Sequence, residues 1–419
     1  MPTKPTRPVR VAAILTCFRH RSHANVILEN FLEPYLFCGR RVDPRQEFQV
    51  VSMYVDQFPK IDMARGVARD YGIKIYPTIA GALKQGGRKL AVDAVLSIGE
   101  HGTYSFNKLG QKRYPRRRFF NEIIEVIEES GRGIPIFNDK HLAYRFDWGQ
   151  AMFETAGRLG VPLMAGSSVP LAQRRPSIEL PRGARVAEAV SIHGGPLEAY
   201  GFHALEVLQS FVEARRGGET GVTSVEYLRG RQLWNAARQG RWSLPLAEAA
   251  MKAELGPAAK ATRTIQQVAG ERRTTSDGLL IHYADGLKAT MLNIGKNDTR
   301  WNFACRLVGE RKPRATSLYV GPWNNRNLFK ALVHAIQDHF RNGQSPYPLE
   351  RTLMTTGLTD AMMQAAVTPG RPLETPELAF SYQPRSFRRM RENGKSWQVI
   401  TSDMPEPRGI DNSGDRFTS

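Results

Sequence analysis

Cysteine is the rarest residue in this 419-residue sequence: Cys17, Cys38 and Cys305 are all there is. Three thiols cannot build a disulfide framework or a cysteine-rich zinc site, and they suit a reducing, cytoplasmic compartment. Long apolar runs are missing too. No stretch approaches the ~18 residues that a membrane span needs, so a soluble chain with no membrane partner is expected. The start, Met1–Arg10, is basic and proline-punctuated. The apolar run after it is short and lacks a small-residue cleavage site, so it does not read as a secretory signal. No internal repeat is visible, and 37 Gly and 26 Pro follow no short period, which excludes a collagenous or fibrous class. Acidic residues are in deficit: 40 Asp+Glu against 59 Lys+Arg leave a net charge of +19. The basic clusters are short, namely Lys112, Arg113, Arg116, Arg117 and Arg118, then Arg385, Arg388, Arg389 and Arg391. Neither zinc-finger spacing nor a recognition helix accompanies them, so the reading is solvated surface rather than nucleic-acid binding.

What is present is a chain with core-forming capacity. Hydrophobic residues are 41% and aromatics 9%, which excludes global disorder and suits two or three domains. Up to about residue 170, continuous apolar runs (Val11–Leu15, Phe48–Val55, Ile73–Tyr76, Ala91–Ile98, Ile134–Phe137, Val161–Met164) alternate with helical spacings. One such helix is capped by Ser22, another ends at Gly72, and others carry Phe120, Ile123 and Ile127, or Met152 and Ala156. Strand–helix alternation with short connections predicts an α/β domain with a doubly wound parallel sheet over residues 1–170. Beyond Ser167 the pattern changes. Residues 170–181 read as a loop, Ala204–Val212 as a helix, and Leu279–Tyr283 and Thr290–Ile294 flank a hairpin turn at Asp285-Gly286. Residues 171–375 are expected to form an α+β domain with a mainly antiparallel open sheet, and 376–419 an extension with a flexible, draped or frayed tail. An open sheet needs its outer face covered, which predicts a homo-oligomer, dimer or tetramer.

In a doubly wound sheet, ligands sit outside the carboxyl ends of the strands. Thr16-Cys17-Phe18-Arg19-His20-Arg21-Ser22-His23 follows the first strand and contains no glycine, where a dinucleotide site normally has G-x-G-x-x-G. Asp56 follows the second strand, Gly99-Glu100-His101-Gly102 the fourth, and Asn138-Asp139-Lys140-His141 the fifth. His20 and His23, three apart, lack a carboxylate that would make a metal site of them.

These residues carry a resemblance. The segment Ile134-Pro135-Ile136-Phe137-Asn138-Asp139-Lys140, Val92-Asp93-Ala94-Val95, Gly201-Phe202-His203-Ala204-Leu205-Glu206 at a helix start, and Pro346-Tyr347-Pro348-Leu349-Glu350-Arg351-Thr352 follow one another in a familiar order. The chain resembles the glucose–fructose oxidoreductase/inositol dehydrogenase (Gfo/Idh/MocA) family over most of residues 9–370. The resemblance implies a Rossmann-like first domain, NAD or NADP as cofactor, and a sugar or cyclitol as substrate. It implies Lys140 and His203 as catalytic residues, although Asp139 and His141 replace the lysine's usual neighbours and Ala199 stands at the usual Asp position. It puts Leu15, Cys17 and His20 at the glycine sites. Thr16, Arg19, Ser22, Asp56 and Glu100 would then meet the cofactor, and His101, Asp139 and His141 the substrate. Two other readings stay open. One is a lyase, hydratase or hydrolase on the same fold, without the dinucleotide, in which Glu100, His101, Asp139 and His141 act as acid/base groups or hold a divalent metal. The other is a non-catalytic binding protein.

Overall fold

The computed structural model describes residues 7–181, 183–256 and 276–411. Six parallel strands form the first sheet, in the order Lys74–Tyr76, Phe48–Val55, Val9–Leu15, Ala94–Ile98, Ile136–Asp139, Leu163–Gly166. The central strand Val9–Leu15 pairs with Phe48–Val55 on one side and Ala94–Ile98 on the other. Its residues Val11–Leu15 are wholly buried, the consequence of a parallel strand covered on both faces. Helices His23–Leu32, Ala64–Asp70, Ile79–Lys84, Arg116–Ser130 and Phe146–Arg158 make the crossovers. Ser22 caps the first of them by accepting from Asn25 N, and Gly72 at φ 66° follows the second.

The second sheet has eight strands: Pro372–Glu374, Val222–Arg229, Asp277–Tyr283, Lys288–Asn293, Val186–Gly194, Asn297–Leu307, Arg314–Tyr319, Gln173–Arg175. Every neighbouring pair is antiparallel except Val186–Gly194 with Lys288–Asn293. The turn at Asp285-Gly286 joins Asp277–Tyr283 to Lys288–Asn293 as the dipeptide predicts, with Gly286 at φ 86°. One face packs on helices Leu197–Val212 and Leu349–Ala365. Helices Arg231–Arg238 and Leu244–Leu255 cover the other, where Trp242, Leu246, Ala247 and Ala250 meet Val190, Ile192, Leu280 and Ala304.

Three expectations need correction. The apolar part of the sheet's outer face, expected to be open, is covered by the chain's own helices Arg231–Arg238 and Leu244–Leu255. The loop read over 170–181 contains a 3-10 turn at Val169–Leu171 and an edge strand, Gln173–Arg175, paired with Arg314–Tyr319. The helix read from Ala204 begins at Leu197, after Pro196, whose missing N–H costs nothing at a helix N-terminus. His203 is therefore in its second turn. Residues 402–411 are draped over the surface, one of the two readings of the tail, with Ile410 and Asp411 buried; residues 412–419 lie outside the described residues.

Candidate active site

The strand Ala94–Ile98 runs into Gly99-Glu100, and Gly99 makes room for a neighbour: a Cβ there would lie 2.7 Å from Arg116 Cγ. Arg116 is 1% exposed, unlike the solvated cluster it was read into. It donates to Glu100 and, at 3.1 Å, to His141 Nε2. Glu100 Oε1 lies 3.0 Å from Lys140 Nζ. Burial would raise the Glu100 carboxyl, but Lys140 and Arg116 outweigh it and hold it well below the ordinary carboxylate range. The buried centre is thus an anion between two cations. His141 accepts from a guanidinium and is kept neutral by burial and then by the Arg116 charge.

Lys140 and His101 both have left-handed backbone, φ 65° and 69°. Such positions cost a non-glycine residue about 1–3 kcal/mol and persist where the surroundings over-determine them, commonly at functional sites. Asp139 is turned away from the centre and pairs with His23 Nδ1 at 2.6 Å. His23 lies edge-on to His101, with ring centroids 5.1 Å apart, and Arg19 Nη2 is 3.5 Å from His101 Nδ1. Burial, then the nearby His23 charge, pushes His101 down to about 3.

Lys140 O accepts from Gly166 N at 3.1 Å, and the residue after Gly166 holds His203: Ser167 Oγ is 2.6 Å from His203 Nδ1. Any Cβ at Gly166 would meet Thr352 Oγ1 at 2.9 Å, so the strand end can pass the helix Leu349–Ala365 this closely only as glycine. Behind it, Glu206 accepts from Ser167 N, Thr352 Oγ1 and Thr355 Oγ1, at 3.3, 3.1 and 2.6 Å. Val169 N donates to Ser167 Oγ. Burial and the Lys140 charge keep His203 neutral, well below the ordinary imidazole range. His203 Nε2 has no hydrogen-bond partner among the described residues, and where Nδ1–H donates to Ser167 the lone pair sits on Nε2. Four further buried polar atoms around the centre have none either: His101 Nε2, Arg116 Nε, Asn138 Oδ1 and His141 Nδ1. Buried groups are nearly always hydrogen-bonded, so such a concentration marks a place where a polar ligand or water completes the set.

The loop after the first strand is closed on itself. Thr16 Oγ1 donates to Glu100 O at 2.5 Å, and Ser22 Oγ accepts from Arg19 N and donates to Arg19 O. Neither hydroxyl is left for a phosphate. Asp56 accepts from Tyr54, Tyr104 and Arg118 at 2.7, 2.6 and 2.5 Å, leaving little capacity for a ribose hydroxyl. Arg21 pairs with Glu406, and His20 Nδ1 with Asp411 Oδ2 at 2.9 Å, so His20 and His23 diverge. The residues present fit a dinucleotide by charge, through Arg19 and Arg21 at the N-terminus of a helix, but not by a glycine cradle. No three His, Cys, Asp or Glu among the described residues converge as metal ligands. Arg116 and Ser167 are the members of the site that sequence reasoning passed over; Ser167 directly follows the strand end Gly166, which was an available signal, whereas Arg116 opens a helix far beyond the strand end at Ile98 and offered none.

No family model matches the chain, and no curated protein matches its sequence. Solved structures do share its fold. GenD2 from gentamicin A biosynthesis, solved with NAD, aligns at a TM-score of 0.53 and 13% identity over 90% of this chain and 99% of its own. A myo-inositol dehydrogenase from Corynebacterium glutamicum aligns at 0.52 and 12% over 88% and 98%. The WlbA dehydrogenase from Bordetella pertussis, solved with NADH and UDP-GlcNAcA, aligns at 0.51 and 12% over 88% and 99%. What the chain shares with these structures is the architecture, a Rossmann-like parallel sheet joined to a mostly antiparallel one.

Proposed function

We propose, from this shared architecture, that the protein is an NAD(P)-dependent oxidoreductase acting on a hydroxyl of a sugar or cyclitol. The observation that carries the reading is the buried Glu100–Lys140 pair at the carboxyl edge of a Rossmann-like sheet, one backbone bridge away from a neutral histidine. In this reading His203 Nε2 accepts the substrate hydroxyl proton, and Ser167 fixes the tautomer that allows it. Lys140, held by Glu100, donates to the same oxygen and stabilises the negative charge that develops there. His101 and His141 offer their unpartnered ring nitrogens to the remaining hydroxyls. A bound nicotinamide supplies the hydride acceptor. Arg19, and Arg21 on leaving Glu406, neutralise the pyrophosphate in place of backbone amides. The relatives bound to NAD and NADH, and the inositol and UDP-sugar named for them, support this choice of cofactor and substrate class. Cys17, Cys38 and Cys305 are all free thiols, which suits a reducing cytoplasm.

Calorimetric titration of NAD and NADP into the intact chain tests the proposal. Binding of either at micromolar to millimolar concentration, weakened about tenfold by Arg19→Ala, is the expected outcome. No heat at millimolar cofactor would remove the redox reading.

A further inference from the structure

A cavity of about 730 Å³ lies between the edge strand Gln173–Arg175, the end of helix Leu197–Val212 and residues 383–391, and no residue of the candidate active site lines it. Its charges are one-sided. Arg215 is answered by Glu219 and Asp285, and Glu213 by Arg351. That leaves Arg174, Arg385, Arg388 and Arg391 facing the carboxylate of Glu179 alone. Glu179 is shared between two guanidiniums: Arg174 at 3.3 Å, and Arg391. Arg385 reaches a carbonyl, Ser345 O, at 2.7 Å, and the Arg388 side chain has no partner among the described residues.

Arg174 makes the case. It is 8% exposed, its Cζ lies 3.9 Å over the Phe211 ring, and its buried Nε has no hydrogen-bond partner. Its other recorded bonds, to Ile178 O at 3.0 Å and Glu179 Oε2 at 3.3 Å, both run through Nη1, so the guanidinium keeps unused donors beside an excess of positive charge that an anion would balance. The same imbalance shows in its titration, lowered to about 9 by burial and then by the Arg391 charge.

We propose that this cavity binds a phosphorylated small molecule. The forked donors of Arg174 and Arg391, with Arg385 and Arg388 at the mouth, suit a dianionic phosphate better than a single carboxylate. Phe387 and Leu180 line the rest of the space and would carry an apolar or ring-shaped organic part. The volume falls within the ~300–1,000 Å³ of small-molecule sites.

Inorganic phosphate and phenyl phosphate titrated into the intact protein at low ionic strength test it. Both should bind, phenyl phosphate the more tightly. The exposed pair Arg385→Ala/Arg388→Ala should weaken both by about tenfold or more, while Arg158→Ala, on the far domain, leaves them within about twofold. Circular dichroism confirms that each variant folds. Absence of binding at millimolar ligand, or equal binding by the double variant, would overturn the site. Phenyl phosphate binding no better than inorganic phosphate would overturn the organic half of the ligand.

Discussion

His193 is wholly buried on the strand Val186–Gly194, and burial alone drives its imidazole down to about 3. Protons are therefore taken up by the unfolded chain near pH 6.5 and refused by the folded one until far lower pH. The stabilising share of a neutral buried histidine is whole above pH 6.5 and shrinks as pH falls towards 3, by ~1.4 kcal/mol per pH unit. Between pH 7 and pH 5 the native chain should lose about 2 kcal/mol more stability than a His193→Gln variant, read from urea unfolding at each pH. Parallel curves for the two proteins would refute this. Among the site residues, those legible from sequence are the ones whose position needs only a strand end, Glu100, His101, Asp139, Lys140 and His141. Their roles were not. Asp139 spends itself on His23, and Thr16, Ser22 and Asp56 are satisfied internally, because which partner a polar side chain finds depends on segments tens to hundreds of residues away.

Trp242 is the largest fully buried side chain between the second sheet and its outer helices, 1% exposed, with Nε1 donating to Leu233 O at 2.9 Å. Trp242→Ala would remove both the packing and that bond, and a loss of ~3–5 kcal/mol is expected in denaturant unfolding. A loss below about 1 kcal/mol would mean that the helices Arg231–Arg238 and Leu244–Leu255 are a loose cover rather than part of the core. These two helices went unread in the sequence for a physical reason. Arg231–Arg238 buries only Leu233 and Ala236, too few apolar positions to set a period. The parallel strands were legible because a strand buried on both faces must be a continuous apolar run. The helix Leu197–Val212 was legible only in its second half, since Glu198, Ala199 and Tyr200 follow a proline and a glycine pair that read as turn.

Among the described residues, the helices Arg231–Arg238 and Leu244–Leu255 cover the apolar part of the eight-stranded sheet's outer face, which leaves no large apolar sheet surface to bury against a copy of the chain. Light scattering at micromolar concentration should report the monomer mass of 47.0 kDa. A particle of twice that mass would require another interface, one built without the sheet. The basic excess has a partial account as well. Pairs such as Arg116–Glu100 and Arg351–Glu213 add nothing to it, but part is gathered unbalanced around the Arg174 cavity.

Arg21 and Glu406 are 385 positions apart, and the same short segment ties His20 to Asp411 and Trp323 to Met404. Distance along the chain is also distance in time. At roughly 5–20 residues per second, about 20–80 s separate the appearance of the two ends of that ion pair during synthesis. The first sheet can complete itself in that interval with its anion-facing loop unfastened and Arg21 uncommitted. Fastening of the loop must then wait for residues 404–411, long after the strands beside it have been made. A chain truncated after Ser402 would stay in the earlier condition, with the sheet intact and Arg21 released. It should bind NAD or NADP more tightly than the full chain in calorimetry, and weaker binding would show instead that the fastening is what shapes the loop to receive its ligand.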